Sequence, residues 1–95
     1  MKKLDQQEID EKLNSLNQAW TQEGDIIKRE FVFDNFVLAF GFMTAVAIEA
    51  DVANHHPDWR NVYNKVSVSL STHDAGGLTE QDFSLADKID TLFKD

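Results

Sequence analysis

The sequence predicts an α+β domain of two layers, with three helices packed on one face of a four-stranded, mostly antiparallel sheet. Three observations lead there. Apolar residues recur at helical spacing near the start, middle and end of the chain, and two-residue alternation fills the gaps between. A chain of 95 residues has room for one core, so residues 1–95 are read as a single domain.

From Asp5 to Asn17, Ile9, Leu13 and Leu16 fall on one stripe of a short amphipathic helix. Glu23-Gly24-Asp25 is a turn between a short strand through Trp20 and a second from Ile26 to Phe33, whose Ile27, Phe31 and Phe33 share a face. Asp34 or Asn35 caps a helix that runs to about Ala53. On it Phe36, Phe40, Met43, Ala47 and Ala50 make one apolar stripe, while Leu38, Phe42, Ala45, Ile48 and Val52 populate other sides. Such a helix needs more than one partner. The sheet is one, and a second subunit is the expected other, giving a homodimer or homotetramer.

Asn54 to Trp59 reads as a loop, with Pro57 holding His56 extended. Val62 to His73 then alternates, with Val66, Val68 and Leu70 on one face and Lys65, Ser67, Ser69, Ser71 and His73 on the other, and a break near Asn64. The face carrying His73 is thereby left open for ligand or partner. Asp74 to Gly77 is a loop. Thr79 to Asp82 has the form of a capping box, and Phe83, Leu85, Ala86, Ile89, Leu92 and Phe93 line the last helix.

Composition acts mainly by exclusion. Seventeen acidic residues against nine basic ones give a net charge of −8, which argues against direct nucleic-acid binding. The absence of cysteine removes disulfides, thiolate ligands and thiol nucleophiles, and fits a reducing cytoplasm. Met1-Lys2-Lys3 is followed by polar residues, not by the apolar run of a signal peptide. The apolar stretch from Phe36 to Ala53 contains Glu49 and Asp51, so a buried core helix is expected there and no membrane span.

All three histidines lie between positions 55 and 73, and imidazole exchanges protons near neutral pH. Asp51 lies one helical turn before His55, while Asp74 and Asp82 follow His73; any of them can orient an imidazole. Taken singly, each histidine is better explained as a structural or surface group, helix capping explains Asp82 as well as chemistry does, and Trp20 and Trp59 are by default core or rim aromatics. A metal site is disfavoured by spacing, because adjacent histidines seldom chelate one ion and no helical ligand pair is present. Ser67, Ser69 and Ser71 look like the polar face of a strand rather than nucleophiles. The residues alone therefore give a histidine-rich polar surface suited to acid–base work, without a substrate.

The order Asp51, His55-His56-Pro57, Tyr63, His73, Asp82 resembles the signature of the pterin-4a-carbinolamine dehydratases. Phe40-Gly41-Phe42-Met43-Thr44 is similar to that family's central helix, and Trp20 to its hairpin tryptophan. The resemblance spans roughly Trp20 to Phe93. Two features depart from it: the acidic position is commonly glutamate, and the first hairpin is slightly shorter than in animal relatives.

The resemblance implies dehydration of 4a-hydroxytetrahydropterin, formed by aromatic amino acid hydroxylases, to the quinonoid dihydropterin, with neither metal nor other cofactor. It implies His55 and His73 for proton traffic, with His56 catalytic or substrate-binding. Asp51, Asp74, Asp82, Trp20 and Trp59 are expected to border the substrate or position the imidazoles. Some animal members also bind a homeodomain transcription factor, so a non-catalytic interaction module is the alternative.

Overall fold

The computed structural model describes residues 1–93. The elements run α1 (Gln6–Ser15), β1 (Thr21–Glu23), β2 (Ile26–Val32), α2 (Phe36–Ala53), β3 (Asp58–Val62), β4 (Lys65–Leu70), a 3-10 turn (His73–Ala75) and α3 (Glu80–Leu92). The four strands form one sheet in the order β1-β2-β4-β3, antiparallel throughout. The α+β expectation is met.

Register decides what faces the helices. Ile27 pairs with Leu70, Phe31 with Val66, and Trp59 with Val68. Residues directly opposite in an antiparallel pair share a face, so these six side chains line the layer beneath the helices. Five of them, all but Trp59, are fully buried. Lys28, Glu30, Arg60, Lys65 and Ser67 occupy the other face and are exposed.

Helix ends follow local chemistry. Asp5 caps α1 in a reciprocal box with Glu8, and the Asn35 side chain accepts from the Leu38 N–H to start α2. Helix α2 stops because Asn54 adopts the left-handed conformation, at φ 51°, which asparagine tolerates better than most residues. Its N–H and that of His55 then bond back to α2 carbonyls.

Three expectations need correcting. First, β3 begins at Asp58, so Trp59 is on an edge strand and not in the preceding loop. Arg60 and Asn61 hid this strand, because a polar residue at inward parity breaks the apolar alternation. Asn61 is accommodated by donating to the Tyr63 and Lys65 carbonyls, which closes the β3–β4 hairpin. Second, β4 ends at Leu70, and His73 lies beyond it on the 3-10 turn. A bridge between Thr72 and Gly77 bends the chain there and takes His73 off the open sheet face.

Third, α2 is rotated from the expected stripe. Ala39, Phe42, Val46 and Ala50 are buried, while Phe36, Phe40 and Ala47 are exposed. Apolar residues surround this helix almost evenly, so periodicity carries little information on its orientation. The 18 residues, of mean hydropathy 1.8, suffice to span a membrane by length and composition. Here one face packs on β4 and α3, and Val37, Leu38, Phe40, Ile48 and Val52 lie more than half exposed.

At the other end of the core, Phe31 meets Trp20, Phe42 and Phe93 ring to ring. The Arg29 guanidinium sits 4.4 Å from the Phe31 ring centroid and bonds the Asp90 carboxylate at 2.8 Å. Trp20 Nε1 donates to the same carboxylate at 2.9 Å, tying the first hairpin to α3. Burial raises Asp90 above the usual carboxylate value of 3.8, against the opposing pull of Trp20 and Arg29.

A raised folded-state value means that the folded protein holds this proton more readily than the unfolded chain. Stability from protonated Asp90 is thus fully present below 3.8 and is lost as pH rises through the folded value. Asp90→Asn should lack that slope. In urea unfolding over a pH series, wild-type stability minus variant stability should fall as pH climbs above 3.8; a constant or rising difference would contradict the assignment.

Candidate active site

Three chain segments meet at one end of the sheet: the turn after α2, the 3-10 turn after β4, and the first turn of α3. Asn54, His55, His56, Thr72, His73 and Gln81 line a shallow depression of about 360 Å³ there, with Ser71 and Asp74 beside them. All three histidines of the sequence contribute to it.

His55 is buried against α3, where its Nε2 lies 2.5 Å from Asp82 Oδ1. Asp82 is entirely buried, and its second oxygen accepts from the Thr72 hydroxyl at 2.8 Å and from the Thr79 N–H at 2.9 Å. A carboxylate can only accept, so the proton between His55 and Asp82 belongs to Nε2. Among the described residues His55 Nδ1 has no hydrogen-bond partner, and the buried side-chain nitrogen without one is Arg29 Nε instead. Nδ1 therefore reaches solvent. The imidazole is fixed at one nitrogen and free at the other, the arrangement a proton-transfer group requires.

His56 points elsewhere, as adjacent side chains of an extended segment do. Its Nε2 is 3.2 Å from Asp51 Oδ1, in an exposed pair. It also borders a second depression of about 460 Å³, lined by Thr44, Ala47, Ile48, Asp51, Pro57 and Trp59. His56 is thus the wall between a polar hollow and a more apolar one. His73 is exposed, and its side chain is unbonded among the described residues.

Of the eight residues singled out in the sequence, His55, His56, His73 and Asp74 share the first depression, and Asp51 and Trp59 the second. Two line neither depression. Asp82 is fully buried and stands behind His55. Trp20 is buried too and faces Asp90, two helical turns along α3 from Asp82, because its indole N–H is drawn to that carboxylate. A larger hollow of about 640 Å³ between α1 and α3 holds no histidine. Among the described residues no three or more histidine or carboxylate groups converge as a metal site.

Thr72 and Gln81 were missed in the sequence. Thr72 has the parity of Val66, Val68 and Leu70, so its hydroxyl had to point inward and find a buried partner. Gln81 offered no signal beyond its place in the first turn of α3.

The family profile for pterin 4 alpha carbinolamine dehydratase matches residues 2–92. The chain belongs to this family. A protein of Solibacter usitatus (strain Ellin6076), named for the same activity, is 49% identical over 90 residues, covering 95% of this chain and 94% of its own. One of Sinorhizobium fredii (strain NBRC 101917 / NGR234), also so named, is 53% identical over 90 residues, covering 93% and 85%. The crystal structure of a transcriptional coactivator/pterin dehydratase from Brucella melitensis superposes with a TM-score of 0.91 at 39% identity, over 95% of this chain and 97% of that one. A pterin dehydratase-like RuBisCO assembly factor of the alpha-carboxysome has a TM-score of 0.63 at 19% identity, a likeness of fold alone. Family membership makes the protein a pterin carbinolamine dehydratase, a hydro-lyase.

The two aspartate–histidine pairs should differ sharply in what they contribute to the fold. Asp82→Ala strips a helix cap and leaves His55 and Thr72 without their buried partner, which should cost about 3–5 kcal/mol in denaturant unfolding. Asp51→Ala removes only an exposed pair and should melt like the wild type. Equal stabilities for the two variants would contradict the buried geometry.

Proposed function

We propose that the depression at the sheet's end binds 4a-hydroxytetrahydropterin and dehydrates it by histidine acid–base catalysis, with His55 and His73 carrying the protons. The observation that supports this most is the buried contact of His55 Nε2 with Asp82 Oδ1 at 2.5 Å, which leaves Nδ1 open to the depression where His73 also lies.

The reaction suits such a pair. The C4a–O bond breaks as the hydroxyl takes a proton from a general acid and leaves as water. N5 gives its proton to a general base, and its electrons form the C4a=N5 bond of the quinonoid dihydropterin. No electron enters or leaves the system, so one acid and one base suffice. His56, held by Asp51 at the rim, orients the substrate and Asp74 borders it, while Trp59 borders only a part of the substrate that extends past His56 into the second hollow. Asp82 acts only through His55. In this reading the cytoplasmic protein returns the pterin of aromatic amino acid hydroxylases to its cycle.

The exposed apolar face of α2 supports assembly into a homodimer or homotetramer, since so many contiguous apolar side chains are rarely left in water. An interaction module is the second reading. The Brucella melitensis relative, a transcriptional coactivator/pterin dehydratase by name, favours keeping it.

Freshly generated carbinolamine, followed by its ultraviolet change, tests the chemistry. His55→Ala and His73→Ala should each slow dehydration by about 100-fold; a double variant at the wild-type rate would sink the histidine assignment. Phe40→Glu together with Ile48→Glu should reduce the assembly mass in light scattering, and an unchanged mass would remove α2 as the interface.

A further inference from the structure

Beyond the three histidines, we propose that Thr72 is a positioning residue for the dehydration. Its hydroxyl locks the Asp82 carboxylate so that Oδ1 is held for the His55 imidazole; the inference rests on the reading that His55 moves a proton. Thr72 is buried at the wall of the depression, and its one hydroxyl proton is engaged by Asp82 Oδ2, so it works through Asp82.

The geometry fixes every proton along this line. Thr72 Oγ1 lies 2.8 Å from Asp82 Oδ2 and 2.7 Å from Thr79 Oγ1. A hydroxyl has one proton, and a carboxylate accepts only, so Thr72 donates to Oδ2 and must accept from Thr79. The Thr79 oxygen in turn accepts the Gln81 N–H at 3.3 Å. Two donors, the Thr72 hydroxyl and the Thr79 N–H, therefore pin Oδ2. Turning the carboxylate away from His55 would break both bonds at once.

The same residue steadies the second histidine by its backbone. Its N–H donates to the Gly77 carbonyl at 3.0 Å, and its carbonyl accepts from Ala75 at 3.1 Å, closing the turn that begins at His73. Side-chain replacements leave those backbone bonds in place. They isolate the effect on Asp82 and His55. Valine keeps the shape, removes the donor to Oδ2 and leaves the Thr79 hydroxyl without its acceptor.

The test compares Thr72→Ser, Thr72→Cys and Thr72→Val in kcat and KM for the carbinolamine, with nitrogen NMR of the His55 ring in the free protein. Serine should stay within about twofold of wild type and valine fall about tenfold in kcat, with KM nearly constant and cysteine between. The His55 ring signals should keep their Nε2–H pattern in the serine variant and lose it in the valine one. A valine variant at the wild-type rate, or a serine variant as slow as valine, overturns the proposal. Should valine fail to fold, equal serine and cysteine rates overturn it, and a slower cysteine variant supports it. If His55→Ala keeps full activity, the histidine reading has failed separately; Thr72 is then judged on the ring signals, and an unaltered pattern in the valine variant rejects it.

Discussion

A carboxylate with no exposure to solvent is costly unless donors replace the water it has lost, and Asp82 meets this constraint from three directions. His55 comes from the turn after α2, Thr72 from the end of β4, and the Thr79 N–H from the start of α3. Each donor belongs to a different part of the chain, so the carboxylate is also the point at which those parts are joined. The group that orients the proposed catalytic imidazole is the one that fixes the floor of its depression. Stability and chemistry are coupled here through one side chain.

The remaining core supports this joint rather than forming it. Phe31 and its aromatic neighbours anchor the far end of the sheet, and the Trp20–Asp90–Arg29 cluster ties the first hairpin to the last helix. Helix α2 lies between the two ends. One face is small and closely packed through Ala39, Val46 and Ala50, which brings the helix down onto β4. Its other face stays apolar and open, although Thr44, Ala47 and Ile48 on that side also line the hollow beside His56. A partner covering α2 would thus sit next to the proposed site, so assembly and substrate access need not be independent.

Much of this was legible in the sequence because local chemistry and global fold agree. The capping box at Thr79, the Gly24 turn and the Val66-Val68-Leu70 alternation each specify one structure. What escaped did so for physical reasons. Helix α2 is apolar on every side, so its buried stripe is set by tertiary packing. Strand β3 lies at an edge, where Arg60 and Asn61 obscure alternation. His73 seemed to extend a strand because a bridge between Thr72 and Gly77 leaves no mark in a two-residue pattern. The three histidines and their proximity were readable, but which aspartate serves which imidazole was not. Asp51 and Asp82 differ in burial, and burial depends on how α3 is seated. Trp20 misled for the same reason, since its partner Asp90 is 70 positions away.

The central claim is that the Asp82 charge, delivered through His55, carries the proton chemistry. Asp82→Asn keeps the side chain's size and its capacity to accept at the helix cap, but removes the charge opposite the imidazole. With folding verified by unfolding curves, the carbinolamine dehydration rate of this variant is the direct measurement. A fall of about 100-fold in kcat is expected. A folded Asp82→Asn protein that dehydrates the carbinolamine at the wild-type rate would contradict the account.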